Sequence, residues 1–296
     1  MRAALGFACG TPCPPVGCSD AGLPQTKSMT PKRYWTEMTW EDFQDGDPAD
    51  WIAVLPVAAV EQHGPHLPVG VDTFIAEGYL HRVAELLPQS LPAVFLPVQA
   101  IGKSDEHLEF PGTLTLSPET AIRVWTEIGE SVHRAGVRKM VIVNSHGGNS
   151  PVIDIVAQNL RVRLGMFVVV TSWHRLGYSQ GEFSRGENTQ GTHRGAIQTS
   201  LKRWLKTETV RPDIGDGRSI STEMEREFNH LRAFRPAGFA WMTQDLNSSG
   251  VVGNARAATF DKGSLALEHG ARAFVQLLED ILRFDIRRLK DGPLKG

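Results

Sequence analysis

A three-layer α/β/α fold on a mainly parallel sheet is what this sequence of 296 residues predicts. Short apolar runs rich in Val and Ile recur along the chain, and amphipathic helical patterns separate them. Polar, glycine-containing segments follow the ends of at least two of these runs. Strands that alternate with helices pair in parallel, because each crossover is made by a helix. The helices then cover both faces of the sheet.

The elements follow in order. Ile52-Ala53-Val54-Leu55-Pro56-Val57 reads as a short buried strand. Residues 72–87 form a helix that Pro88 ends, and 93–98 form a strand. Ser117 caps the next helix, and Pro118 suits its first turn. Its apolar positions are Ala121, Val124, Ile128, Val132 and Ala135. A strand at 139–143 leads into a helix at 149–164 with Asn149 as N-cap and Pro151 in the first turn. Ile153, Val156, Ala157, Leu160 and Leu164 are apolar along it. A strand at 166–172 precedes a helix at 193–206 with Ile197, Leu201 and Trp204 on one side. Residues 208–260 read as irregular, and the Asn-, Ser- and Gly-rich segment 247–254 suits a lid or a subunit contact. A last helix, about 261–290, packs a stripe of Leu267, Ala271, Phe274, Leu278 and Ile281 onto the sheet.

Composition excludes several classes. A formal charge of −2 with scattered Lys and Arg provides no electrostatic footprint for nucleic acid or an anionic membrane. No apolar run approaches the roughly 20 residues needed to span a bilayer. All 3 cysteines, Cys9, Cys13 and Cys18, fall in residues 1–28 among Gly, Pro and Ser. An odd count without a neighbouring histidine is a poor metal motif, and this stretch lacks the apolar core of a signal peptide. Residues 1–28 read as a disordered or non-native extension, with Met29 a reasonable initiator. Residues 29–296 read as a single domain whose expected compartment is the cytoplasm.

Chemistry concentrates at two strand ends. Glu61-Gln62-His63-Gly64-Pro65-His66-Leu67-Pro68, with Asp72 close behind, offers carboxylates and imidazoles to a divalent zinc, manganese or iron ion. The alternative is a solvated polar loop. Asn144-Ser145-His146-Gly147-Gly148-Asn149 follows a second strand, so His146 lies between a strand end and a helix start. Open α/β sheets bind ligands at such places. His66 could orient Glu61 or Asp72, be a ligand, or be a bystander. His107 suits either a pocket wall or a turn, and Trp173 either a pocket wall or the core. His193 is the candidate for passing a proton to a leaving group, and the alternative is that it caps its helix.

These segments resemble the creatininase (creatinine amidohydrolase) family of binuclear metal hydrolases. The matching stretches are EQHGPHLPVGVD at 61–72, SDEHLEFPGTLTLS at 104–117, NSHGGN at 144–149 and GTHRGAIQTS at 191–200. The resemblance implies Glu61 and His146 on one metal, His63 on the other, Asp72 bridging, and a homo-oligomer, a hexamer. Two departures stand out. Gly148 occupies the place of a glutamate ligand, and Gln198 replaces the glutamate of a later H-x-G-x-x-E-T-S segment. One tight metal site and a weak second one are therefore expected, the second involving Gln198 or recruiting Glu182 or Glu187. The implied activity is metal-dependent hydrolysis of a small cyclic amide other than creatinine. The alternatives are cleavage of a C–C bond in a cyclic polyol diketone, of the 3-dehydro-scyllo-inosose type, and a non-catalytic small-molecule binding protein.

Overall fold

The computed structural model describes residues 31–179, 181–183, 195–212, 217, 219–234 and 236–290. Strands β1 (Ile52–Val57), β2 (Ala93–Phe95), β3 (Lys139–Asn144) and β4 (Phe167–Ser172) form one parallel sheet in the order β2-β1-β3-β4. The helices are α1 (Trp40–Asp45), α2 (Val71–Leu86), α3 (Pro118–Arg134), α4 (Ser150–Leu164), α5 (Ala196–Lys206), α6 (Ile220–Glu227), α7 (Thr243–Leu246) and α8 (Phe260–Arg283).

Side chains of a strand alternate between faces, and β1 shows why the molecule has three layers. Ile52 and Val54 join the core formed with α2, α5 and α8, whereas Ala53, Leu55 and Val57 join the core formed with α3 and α4. Every residue of β1 is buried, as a strand covered on both faces requires. The chain leaves β1 for β2 on one side, then returns to place β3 on the other. Loops leaving the C-terminal ends of β1 and β3 therefore diverge and open a crevice. Register makes those ends level, since Val57 pairs with Asn144 and Asn144 with Ser172.

Several boundaries differ from the sequence reading. The second strand stops at Phe95, although Leu96 and Gln99 still donate to the carbonyls of Val54 and Pro56 at 2.9 Å. Pro97, lacking an N–H, interrupts the ladder between them. The last helix ends at Arg283 because Lys139 Nζ caps it, donating to the carbonyls of Ile281, Leu282 and Phe284 at 2.9 Å. Asn149 is not a side-chain cap of α4. Its amide instead accepts from Lys103 N and donates to the Ala58 carbonyl, both at 2.9 Å, tying three loops together. Ser117 does cap α3, accepting from Thr120 N at 3.2 Å. The span 208–260 is more ordered than expected. It holds α6, α7 and a two-residue parallel ladder between β5 (Leu231–Arg232) and β6 (Ala237–Gly238). Ala233, Leu246 and Val252 form a small core there with Phe234, Phe239 and Trp241.

Trp173 is a core residue. It is 3% exposed, stacks on Tyr79 with ring centroids 4.3 Å apart, and touches Phe274. No helix among the described residues is long and apolar enough to cross a membrane.

Candidate metal centre

The loop after β1 carries Glu61 and His63, the first turn of α2 carries Asp72, and the loop after β3 carries His146. The crevice between β1 and β3 brings all four together, each no more than 1% exposed. His63 Nε2 lies 3.4 Å from Asp72 Oδ1 and 3.9 Å from Glu61 Oε1. His146 Nδ1 lies 3.1 Å from Glu61 Oε2 and 3.5 Å from Asp72 Oδ2. Gly64, at φ 73°, turns the chain immediately after His63, and a Cβ there would collide with Val251.

The second nitrogen of each imidazole settles its tautomer. His63 Nδ1 is 2.9 Å from the Glu61 carbonyl, and His146 Nε2 is 2.9 Å from the Lys103 carbonyl. Carbonyls only accept, so these nitrogens carry the protons and His63 Nε2 and His146 Nδ1 present lone pairs to the carboxylates. A lone pair facing a carboxylate oxygen at such distances is repulsive unless positive charge lies between them. The electrostatics of His146 express that demand. Burial disfavours its charged form, but Glu61 and Glu106 outweigh burial and raise the imidazole well above its ordinary value. Burial would likewise raise the Glu61 carboxyl, yet His146 and His107 hold it well below the usual carboxylate range. A proton meets one such contact at a time; a divalent cation meets both carboxylates and both imidazoles together. The donor set therefore fits a divalent metal ion.

Supporting residues come from the segment 103–107. Ser104 Oγ donates to Glu61 Oε2, and His107 Nε2 is 3.3 Å from Glu61 Oε1. Backbone geometry fixes the direction of this last contact. Gly64 N donates to Gln62 Oε1 at 2.9 Å, which turns the Gln62 Nε2 donor towards His107 Nδ1 at 3.4 Å. Thr243 Oγ1 meets the same nitrogen. His107 Nδ1 thus accepts, and Nε2–H points at Glu61. As to the two readings left open for His107, the structure places it at the end of a short 3-10 turn, Asp105–His107, fully buried beside Glu61. Ser104 and Glu106 were not singled out from sequence. Their segment follows no strand directly, and only the Phe110-Pro111-Gly112-Thr113 turn and the family resemblance of 104–117 mark it.

The remaining candidates fall as follows. Gln198, 9% exposed on α5, donates from Nε2 to Asp72 Oδ1 at 3.1 Å, so it reaches the centre. His66 is buried and its Nε2 is 3.2 Å from Thr199 Oγ1, which joins the ligand loop to α5. Glu182 has His269 and Lys262 of α8 as its electrostatic neighbours. His193 and Glu187 lie outside the described residues. The segment 247–254 forms a wall: Val251 is fully buried, and its carbonyl accepts from Asn247 Nδ2 at 2.7 Å. A cleft of about 380 Å³ opens beside His63, lined among others by Leu67, Val69, Phe110, Pro111 and Ser249.

The chain is similar to several known proteins. A family model described as "Creatininase: Creatinine amidohydrolase" matches residues 36–278. The chain is 39% identical over 242 residues to the mycofactocin precursor peptide peptidase of Mycobacterium tuberculosis (strain ATCC 25618 / H37Rv), covering 78% of this chain and 82% of that one. It is 27% identical over 274 residues to the creatinine amidohydrolase of Pseudomonas putida, covering 86% and 98%. A crystal structure of creatinine amidohydrolase (creatininase) superposes with a TM-score of 0.65 at 26% identity, covering 88% of this chain and 100% of the other.

Proposed function

The chain belongs to the creatininase family of metal hydrolases, and from that premise we propose that it hydrolyses an amide C–N bond in a peptide substrate. The observation that carries the metal dependence is the pair of imidazole lone pairs, on His63 and His146, turned towards two buried carboxylates. A divalent cation, zinc or manganese by the chemistry of this donor set, would supply Lewis acidity that lowers the pKa of a water molecule towards neutrality. Glu61 and Asp72 would neutralise the cation, and His63 and His146 would hold it without adding charge. His107 and Ser104 fix the Glu61 carboxylate. The apolar cleft formed by Leu67, Val69, Phe110 and Pro111 seats a side chain next to the scissile bond. His193 passes the proton to the departing amine.

The peptide is preferred over a small cyclic amide because the relative at 39% identity is a peptide peptidase, whereas the creatinine amidohydrolase stands at 27%. A cytoplasmic homo-oligomer, a hexamer, completes the proposal; it rests on the cysteine-free body of the chain and on the family resemblance. The test is metal analysis of protein purified without chelator, followed by assays on peptides, cyclic amides and a cyclic diketone before and after chelation. Activity on peptides that disappears with the metal and returns with zinc or manganese is the expected result. A metal-free protein with full activity, or one that cleaves only the diketone, would overturn it.

The second cation position is proposed to be weak, because Gln198 offers Asp72 a neutral amide where a carboxylate would add a full charge. Gln198→Glu is expected to raise the bound zinc from about one towards about two per chain. Two equally tight sites in the unsubstituted protein would contradict this.

A further inference from the structure

Gly148 stands where a side chain would have no room. A Cβ at that position would overlap Glu106 Oε1 and His146 Nε2 and would crowd the Lys103 carbonyl. We infer that Glu106 is a positioning residue for His146 and that Gly148 is glycine in order to admit it. The inference rests on the proposed metal dependence of this same centre.

Glu106 is 9% exposed, and its Oε1 is 3.3 Å from His146 Nε2. That nitrogen already carries the proton directed at the Lys103 carbonyl, so Glu106 and the carbonyl share one N–H from two sides. The imidazole is thereby held with Nδ1 facing Glu61 and Asp72. A carboxylate behind the protonated nitrogen also makes the opposite nitrogen a stronger donor. Glu61, Glu106 and His146 each offer a ligand atom within 4.8 Å of the others, which raises the alternative that Glu106 is itself a ligand. Two features favour the positioning role. Glu106 lies on the Nε2 side of the ring, whereas Glu61 and Asp72 lie on the Nδ1 side. Its other oxygen is paired with Lys103 Nζ at 2.8 Å, so much of its charge is already compensated.

The experiment titrates apo-protein with zinc against a chromophoric chelator and records the visible spectrum of the cobalt-loaded protein. Glu106→Gln keeps an acceptor and removes the charge; Gly148→Ala keeps the carboxylate but pushes it and the His146 ring apart. Both are expected to weaken the tight site by about 10–100-fold, to leave its stoichiometry unchanged, and to shift the cobalt bands. Loss of one equivalent of metal in Glu106→Gln would make Glu106 a ligand and overturn the inference. So would unchanged affinity and spectrum in either variant. Unsubstituted protein that binds no zinc at all would instead defeat the metal-dependent reading on which the inference rests.

Discussion

Asp72→Ala is expected to abolish hydrolysis and to remove most of the bound metal. Asp72 sits in the first turn of α2, where helix geometry holds its side chain towards the strand ends rather than into solvent. One carboxylate oxygen faces His63 at 3.4 Å and Gln198 at 3.1 Å, and the other faces His146 at 3.5 Å. Among the described residues no other side chain touches both halves of the centre so evenly: Glu61 approaches His146 closely but His63 only at 3.9 Å. Removing one partner of a buried charged pair costs about 3–5 kcal/mol, because the remaining charge is left uncompensated. That corresponds to a loss of about 10²–10⁴-fold in affinity for the cation. Zinc content after dialysis, measured with circular dichroism as a control for folding, checks the prediction. A folded Asp72→Ala protein that retains metal and activity would remove Asp72 from the centre.

The four proposed ligands were legible because each lies within a few residues of an element whose ends the sequence marks. Val57 and Val143 close two apolar runs, and Glu61 and His146 follow within four residues. The parallel pairing of those runs then brings distant positions together. Ser104 and Glu106 lacked such a marker. They approach the centre because the chain after β2 continues beside β1, through the Gln99 to Pro56 hydrogen bond, and then folds across the crevice. That path depends on pairing beyond the end of a strand, which periodicity does not encode. The end of α8 was misjudged for a related reason. Lys139, from the start of β3, takes the helix's terminal carbonyls, and apolar spacing carries no trace of a cap supplied from elsewhere in the chain. The small core of Ala233, Leu246 and Val252 escaped notice because its residues are isolated among polar ones.

His193→Ala is expected to lower turnover by about 10²–10⁴-fold while leaving metal content nearly intact. The departing amine of a hydrolysed amide is a strong base and must receive a proton as the C–N bond breaks. In the proposed centre Glu61, His63, Asp72 and His146 serve the cation, and His107 directs its Nε2–H at Glu61, so none of them would have a proton to give without disturbing it. An imidazole outside this set, with an ordinary pKa near 6.5, is suited to exchange protons at neutral pH. His193 stands in the segment that leads into α5, the helix whose Gln198 reaches Asp72 and whose Thr199 meets His66. Activity alone does not separate this substitution from Asp72→Ala, because both are expected to be severe. Metal content does. If His193→Ala loses zinc as fully as Asp72→Ala, His193 is a ligand and the proton must come from elsewhere. If it keeps both zinc and turnover, the helix-cap reading of His193 stands instead.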